Sequence, residues 1–280
     1  MSAVAPARRR PGVRTVYRWE ARKLVSQKRT YLGFAMAIFV PLAFVIALGL
    51  ENGSPEDVPF GRYVRDSGLA IPLVGLVFGS VWFFPLIASL VAGDIVASED
   101  QNGTLKTILT RSVGRGQVFA GKALVAITYA FVALVLYGAV GIVAGILASG
   151  YNPLVTLSGT VVAPDRALLL TLASFGVYLM PVIAITSIAL LLSTVTRNSA
   201  VAVVGTLMLA LVMQLLAILP GLGGLQPYLL PEQFSAWQGL LRIPADLAPV
   251  VRAAWVSALY AVPSLIAAAL VFLRRDVAGG

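Results

Sequence analysis

Glycine, lysine and a few carboxylates carry the only apparent chemistry in this chain. Gly116-Gln117-Val118-Phe119-Ala120-Gly121-Lys122 has the G-x-x-x-x-G-K spacing of a phosphate-cradling loop. In such loops a Ser or Thr follows the lysine and ligates magnesium, but here the next residue is Ala123. No strand pattern precedes the segment, and it runs directly into an apolar stretch, so its amides are expected inside a helix. Nucleotide binding is set aside, and Lys122 is expected to snorkel to lipid phosphates at a membrane boundary. Histidine and cysteine are absent, which removes the commonest general base, thiolate metal sites and disulfides together. An intramembrane hydrolase would need a buried nucleophile with a base or paired acids, and the apolar runs hold no carboxylate near their middles. The chain is expected to bind no metal and no cofactor itself.

What remains is an organised charged segment, Ser98–Lys122, between two long apolar runs. Asn102-Gly103 is a turn signal and Thr104 is suited to N-cap a following helix. Glu99 and Asp100 lie just upstream, where negative charge favours a helix start. Leu105, Ile108 and Leu109 recur at i, i+3, i+4, Val113 extends the stripe, and Gly114-Arg115-Gly116 breaks the helix. The product is a short helix with one apolar face, too short to stand alone. It either lies in the lipid headgroups or fits a socket on a soluble protein.

The elements that position this segment are membrane spans. Of the 280 residues 59% are hydrophobic and 12% charged, more apolar surface than a soluble protein of this size can hide. Six apolar runs are expected to span, at 30–50, 69–96, 120–148, 168–192, 200–219 and 253–273. Assigning loops alternately puts 16 Lys and Arg on one side and five on the other. By the positive-inside rule the richer side is cytoplasmic, with both termini there and the chain in the cytoplasmic (inner) membrane. The net charge of +9 gathers beside spans, which argues against nucleic acid.

Residues 1–12 are expected to be a disordered tail, 13–29 an amphipathic interfacial helix, and 30–273 a six-span domain. Within that domain 98–118 forms the cytoplasmic loop and 220–252 an outer segment, and 274–280 is a cytoplasmic tail. On the 13–29 helix Val13, Val16, Tyr17, Ala21, Leu24 and Val25 share a face, with Arg14, Arg18, Arg22 and Arg29 on its flank. Glu20 falls inside the apolar face. It either pairs with Lys23 at i,i+3 or forms a salt bridge to a basic residue of the Ser98–Lys122 loop. In the outer segment Phe234, Trp237, Leu240 and Leu241 share a helical face, either as a short helix dipping into the membrane or as an aromatic belt.

The pattern E-x-x-x-G-T-L-x-x-x-L-T-R-x-x-x-R resembles the permeases of the ABC type 2 exporter class. It is carried by Glu99, Gly103, Thr104, Leu105, Leu109, Thr110, Arg111 and Arg115. Trp19–Tyr31 (WEARKLVSQKRTY) is similar to the connecting helix that opens those permeases, and Phe272–Val277 (FLRRDV) to their ending. The likeness extends over the whole chain in span count and order. It implies an all-α integral membrane protein with six transmembrane helices, an N-terminal amphipathic connecting helix and a cytoplasmic coupling helix. It also implies two cytoplasmic ABC ATPase subunits, which bind ATP and magnesium, and a second permease subunit in a homodimer or heterodimer. Contact with the ATPase would fall to Glu99, Asp100, Gly103, Thr104, Leu105, Lys106, Ile108, Leu109, Arg111 and Arg115. Spans two and five would face the path, with Phe78, Trp82, Ser89, Thr206, Met213 and Gln214 along it. A path without charges suits an amphipathic or lipophilic cargo. An accessory membrane subunit for maturation of an extracytoplasmic enzyme is the alternative function. The small-residue pairs Gly75/Gly79 and Gly141/Gly145 are expected to allow close helix approach.

Overall fold

The computed structural model describes residues 12–50, 53–104 and 113–274. Leu105, Lys106, Ile108, Leu109, Thr110 and Arg111 lie outside the described residues, as does nearly all of the tail expected at 1–12. Among the described residues six helices are long and apolar enough to cross a membrane, as the six runs lead one to expect. They are Lys28–Leu50 (span 1), Ala70–Gln101 (span 2), Arg115–Ser149 (span 3), Pro164–Thr196 (span 4), Ser199–Ile218 (span 5) and Ala248–Leu273 (span 6). Spans 2, 3 and 4 form the centre of the bundle, while 1, 5 and 6 leave most of their surface open. Span 6 packs chiefly on span 4, and span 1 on span 3.

A separate arm helix, Val13–Val25, precedes span 1. It ends earlier than the expected 29, because Ser26 and Gln27 turn the chain and Lys28 already opens span 1. Its inward face is Val16, Glu20 and Leu24, packed on span 3, whereas Val25 is exposed. Arg29 therefore belongs to span 1 and is not on the arm's flank. Span 3 begins at Arg115 with Gly114 as its N-cap, so Gly116 lies inside its first turn, while the helix that Gly114-Arg115-Gly116 is expected to end lies outside the described residues. The Gln117 side chain supplies the start signal, its Oε1 accepting the Gly114 N–H at 3.1 Å.

Within span 2 the pieces Ala70–Phe78 and Phe84–Ala92 are joined by a π turn at Gly79–Phe83, and the short helix Ala97–Gln101 ends the span. There the Phe84 N–H reaches back to the Gly79 carbonyl, five residues away. Pro85 follows, and a proline cannot donate the next bond. Two buried tyrosines steady the preceding turn: Tyr137 Oη donates to the Gly75 carbonyl and Tyr178 Oη to that of Leu76, both at 3.0 Å. Gly75 faces the Tyr137 hydroxyl and Gly79 faces Phe84, so these glycines serve contacts within the chain. Gly145 and Gly68 press backbone to backbone, where a Cβ on either would collide with the other's carbonyl.

The end of the bundle opposite the arm carries a cap. A two-stranded antiparallel hairpin, with Leu154 opposite Val162 and Val155 opposite Val161, links spans 3 and 4. It is bonded to the segment before span 6: Leu157 N–H donates to the Leu241 carbonyl, and Ile243 N–H to Ser158 Oγ. Short helices Leu230–Gln233 and Ala236–Leu241 complete the cap. Trp237 is only 1% exposed and stacks on Phe60, and Phe234 meets the Tyr178 ring edge-on at 4.8 Å. The belt reading is corrected here, because a belt tryptophan keeps a wet edge and Trp237 has none.

Candidate functional site

At the arm end, six charged side chains and two serines from every span but the sixth meet. Lys122, two turns into span 3, has no exposed surface. Its Nζ lies 3.0 Å from Glu20 Oε1 and 2.7 Å from Glu99 Oε2, and it donates to the Ile95 carbonyl at 3.3 Å. An ammonium has three donors and here meets three acceptors. Snorkelling to lipid phosphates is therefore wrong for Lys122: its head is turned into the protein because two carboxylates are buried beside it. The remaining oxygen of Glu99 takes the Lys23 ammonium. Of the two readings of Glu20, the geometry pairs it with Lys122 at the far end of the loop, while Lys23 goes to Glu99.

A second group lies alongside. Asp94 pairs through Oδ2 with Arg29 and accepts the Ser199 hydroxyl through Oδ1. Ser193 Oγ accepts the N–H groups of Val96 and Ala97 at 3.3 and 3.0 Å, which cap the short helix Ala97–Gln101. Gln101 Oε1 accepts the Ser199 N–H at 3.4 Å, and Asp100 lies 3.8 Å from Arg197. Three carboxylates (Glu20, Asp94, Glu99) face three cations (Lys23, Arg29, Lys122), so the cluster is formally neutral. That balance matters, because an unpaired charge at such depth costs several kcal/mol.

Glu99 is 2% exposed, so its carboxylate is not on a surface that a soluble partner touches. Asp100, Gly103, Thr104 and Arg115 are more open. The Thr104 hydroxyl donates to the Glu99 carbonyl at 3.3 Å, and Arg115 donates to the Leu273 carbonyl at 3.1 Å, tying span 3 to the end of span 6. The glycine and lysine that imitated a nucleotide loop have other reasons to be there. A Cβ at Gly121 would stand 2.6 Å from Val16, so glycine lets the arm touch span 3. Sequence reasoning missed Asp94, Arg29, Ser193 and Ser199. The one available signal was an aspartate at the very edge of an apolar run.

Toward the cap, spans 2, 4 and 5 line a narrow, partly open cleft. Thr206, Met213 and Gln214 line it, with Ser80, Pro85, Ile188 and Phe234. The Gln214 amide makes no hydrogen bond among the described residues, whereas the Thr206 hydroxyl is turned back to the Ala202 carbonyl. The other three expected path residues are elsewhere. Phe78 and Trp82 are more than half exposed on the outside of span 2, and Ser89 is fully buried with its hydroxyl on the Leu86 carbonyl. Among the described residues no group of His, Cys, Asp and Glu is arranged to hold a metal ion.

The profile of the ABC-2 family transporter proteins matches residues 17–216, from the arm to span 5. Over 43 residues the chain is 46% identical to the probable ABC transporter permease protein NosY of Stutzerimonas stutzeri. That stretch is 15% of this chain and 16% of the relative, so only a small part of the relative's length is matched. The family profile covers the six-charge cluster, both ends of the charged loop and most of the cleft: this multi-pass membrane protein belongs to the ABC-2 transporter family, as a permease and not a catalytic subunit.

Proposed function

We propose that this chain is the transmembrane subunit of an ATP-driven exporter in the cytoplasmic membrane, with both termini in the cytoplasm. Two ATPase subunits dock on the segment between Glu99 and Arg115 and supply the energy. A second permease subunit, identical or related, completes the path. The observation that carries this reading is the ion cluster at the base of the charged loop. A loop that merely connects two spans needs no buried Lys122 and no carboxylates from two other elements. An element that receives force needs such a footing. The arginine-rich flank of the arm (Arg14, Arg18, Arg22) suits lipid phosphates on the same side.

The cleft lined by Thr206, Met213 and Gln214 supports an amphipathic or lipophilic cargo, since it presents one amide, two hydroxyls and no charge. The test is purification of the chain from its native membrane. An ATPase subunit should co-purify, and Leu105→Asp with Leu109→Asp should abolish stimulation of its hydrolysis while Lys106→Ala has a smaller effect. Absence of any ATPase, or full coupling in the double aspartate variant, would sink the reading.

A further inference from the structure

Lys122 is the one charged side chain among the described residues with no exposed surface at all. Its three acceptors come from two different elements: Glu20 of the arm, and Glu99 with Ile95 at the end of span 2. We propose that Lys122 is a positioning residue, a clasp that makes the arm helix and the Ala97–Gln101 helix move as one body with the start of span 3.

With the Lys122 ammonium against both carboxylates, neither carboxylate can leave without stranding a charge where water does not reach. Lys23 gives a second arm-to-Glu99 link, but it is 44% exposed and so weaker. The contact of Val16 with Gly121 holds the arm on span 3 just one residue from the clasp. Ser193 adds span 4, since it holds the amides of Val96 and Ala97. Movement imposed on the Ala97–Gln101 helix is thus passed to the arm and span 3 and not absorbed between them. The source of that movement rests on the permease reading; the rigid connection does not, and can be measured separately.

The chain has no native cysteine, so Arg18→Cys with Asn102→Cys puts its only two labels on two exposed positions, and an ATPase free of reactive cysteines with a mixture of labelled and unlabelled chains isolates the distance within one chain. The full chain with its co-purified ATPase, in nanodiscs, should show one narrow arm-to-loop distance. That distance should be the same in the nucleotide-free and ATP–vanadate-trapped states. Lys122→Arg should retain it and Lys122→Met should lose it to a broad distribution. Because Lys122→Met leaves two stranded carboxylates and is prone to misfold, Glu20→Gln/Glu99→Gln/Lys122→Met is the companion variant. It keeps shape without charge, and it too should lose the narrow distance while eluting as a folded protein. A narrow, native distance in the folded triple variant overturns the clasp, as does a wild-type distance that changes with nucleotide. If no ATPase co-purifies, it is the permease reading that fails, and the nucleotide-free comparison of variants still decides the clasp.

Discussion

Glu99 and Lys122 stand at opposite ends of one loop, and their side chains meet 2.7 Å apart with both buried. The loop is thereby closed at its base by an ion pair, and Glu20 fastens that base to the arm. Closing a loop this way removes freedom from its ends whatever its tip does.

Replacing Lys122 by methionine should cost about 3–5 kcal/mol, the usual effect of removing one partner from a buried pair. Thermal unfolding in detergent, followed by intrinsic fluorescence, reads this as a large drop in Tm. Neutralising Glu20 and Glu99 as well should restore most of the loss, since the penalty comes from stranded charge. A triple variant as unstable as the single one would show that Lys122 acts mainly through its packed methylenes.

Asp94 offers a graded comparison. Asp94→Asn keeps an acceptor for the Ser199 hydroxyl but withdraws the charge facing Arg29. The expected cost is about 1.5–3 kcal/mol, that of a hydrogen bond to a charged group, and below that of Lys122→Met. Arg29→Gln combined with Asp94→Asn should be less damaging than the sum of the single changes, because the two residues share one interaction. Full additivity in denaturation midpoints would mean that the pair is not energetically coupled.

Sequence alone reveals the spans because their signal is local: about 20 apolar residues in a row, with charges at the edges. It also marks the charged loop and its turn. It cannot reveal the partners of Lys122, which come from the arm and from span 2, far away in sequence. With no local pattern for pairing, the default for a lysine at a membrane boundary is to face lipid. Trp237 failed for a related reason. A belt and a buried cap share the same composition, and only Phe60 and spans 4 and 6, far away in sequence or in other elements, make it a core residue. The π turn at Gly79–Phe83 has no signature beyond Pro85.

Close packing makes a second contrast between glycines. Gly145 opposes the Gly68 carbonyl, so Gly145→Val should force spans 2 and 3 apart and cost about 1–3 kcal/mol or more. A Cβ at Gly176 meets nothing within 4 Å, so Gly176→Ala should be neutral or stabilising by about 0.5–1 kcal/mol. Both are read as shifts in Tm. Equal effects would mean that the Gly68–Gly145 approach is not a constraint.

The cleft gives the prediction closest to function. Thr206, Ala210, Met213 and Gln214 follow one helical face of span 5 and line the cleft, while Val212 and Leu215 turn to the exposed side. Gln214 thus points at the space between spans 2, 4 and 5, with no hydrogen bond of its own among the described residues. A polar amide without a partner in apolar surroundings is unfavourable to the fold, so Gln214→Leu should leave Tm unchanged or raise it. If the amide instead bonds cargo, the same change should weaken transport of an amphipathic dye by roughly five-fold, the equivalent of about 1 kcal/mol for one hydrogen bond. ATPase binding, proposed for the other end of the bundle, should be unaffected. An amide that serves as glue between two permease subunits would behave differently: Gln214→Leu would then reduce the dimer seen by native mass spectrometry. Loss of dye transport with dimer, ATPase binding and Tm all intact is the result that places Gln214 on the path.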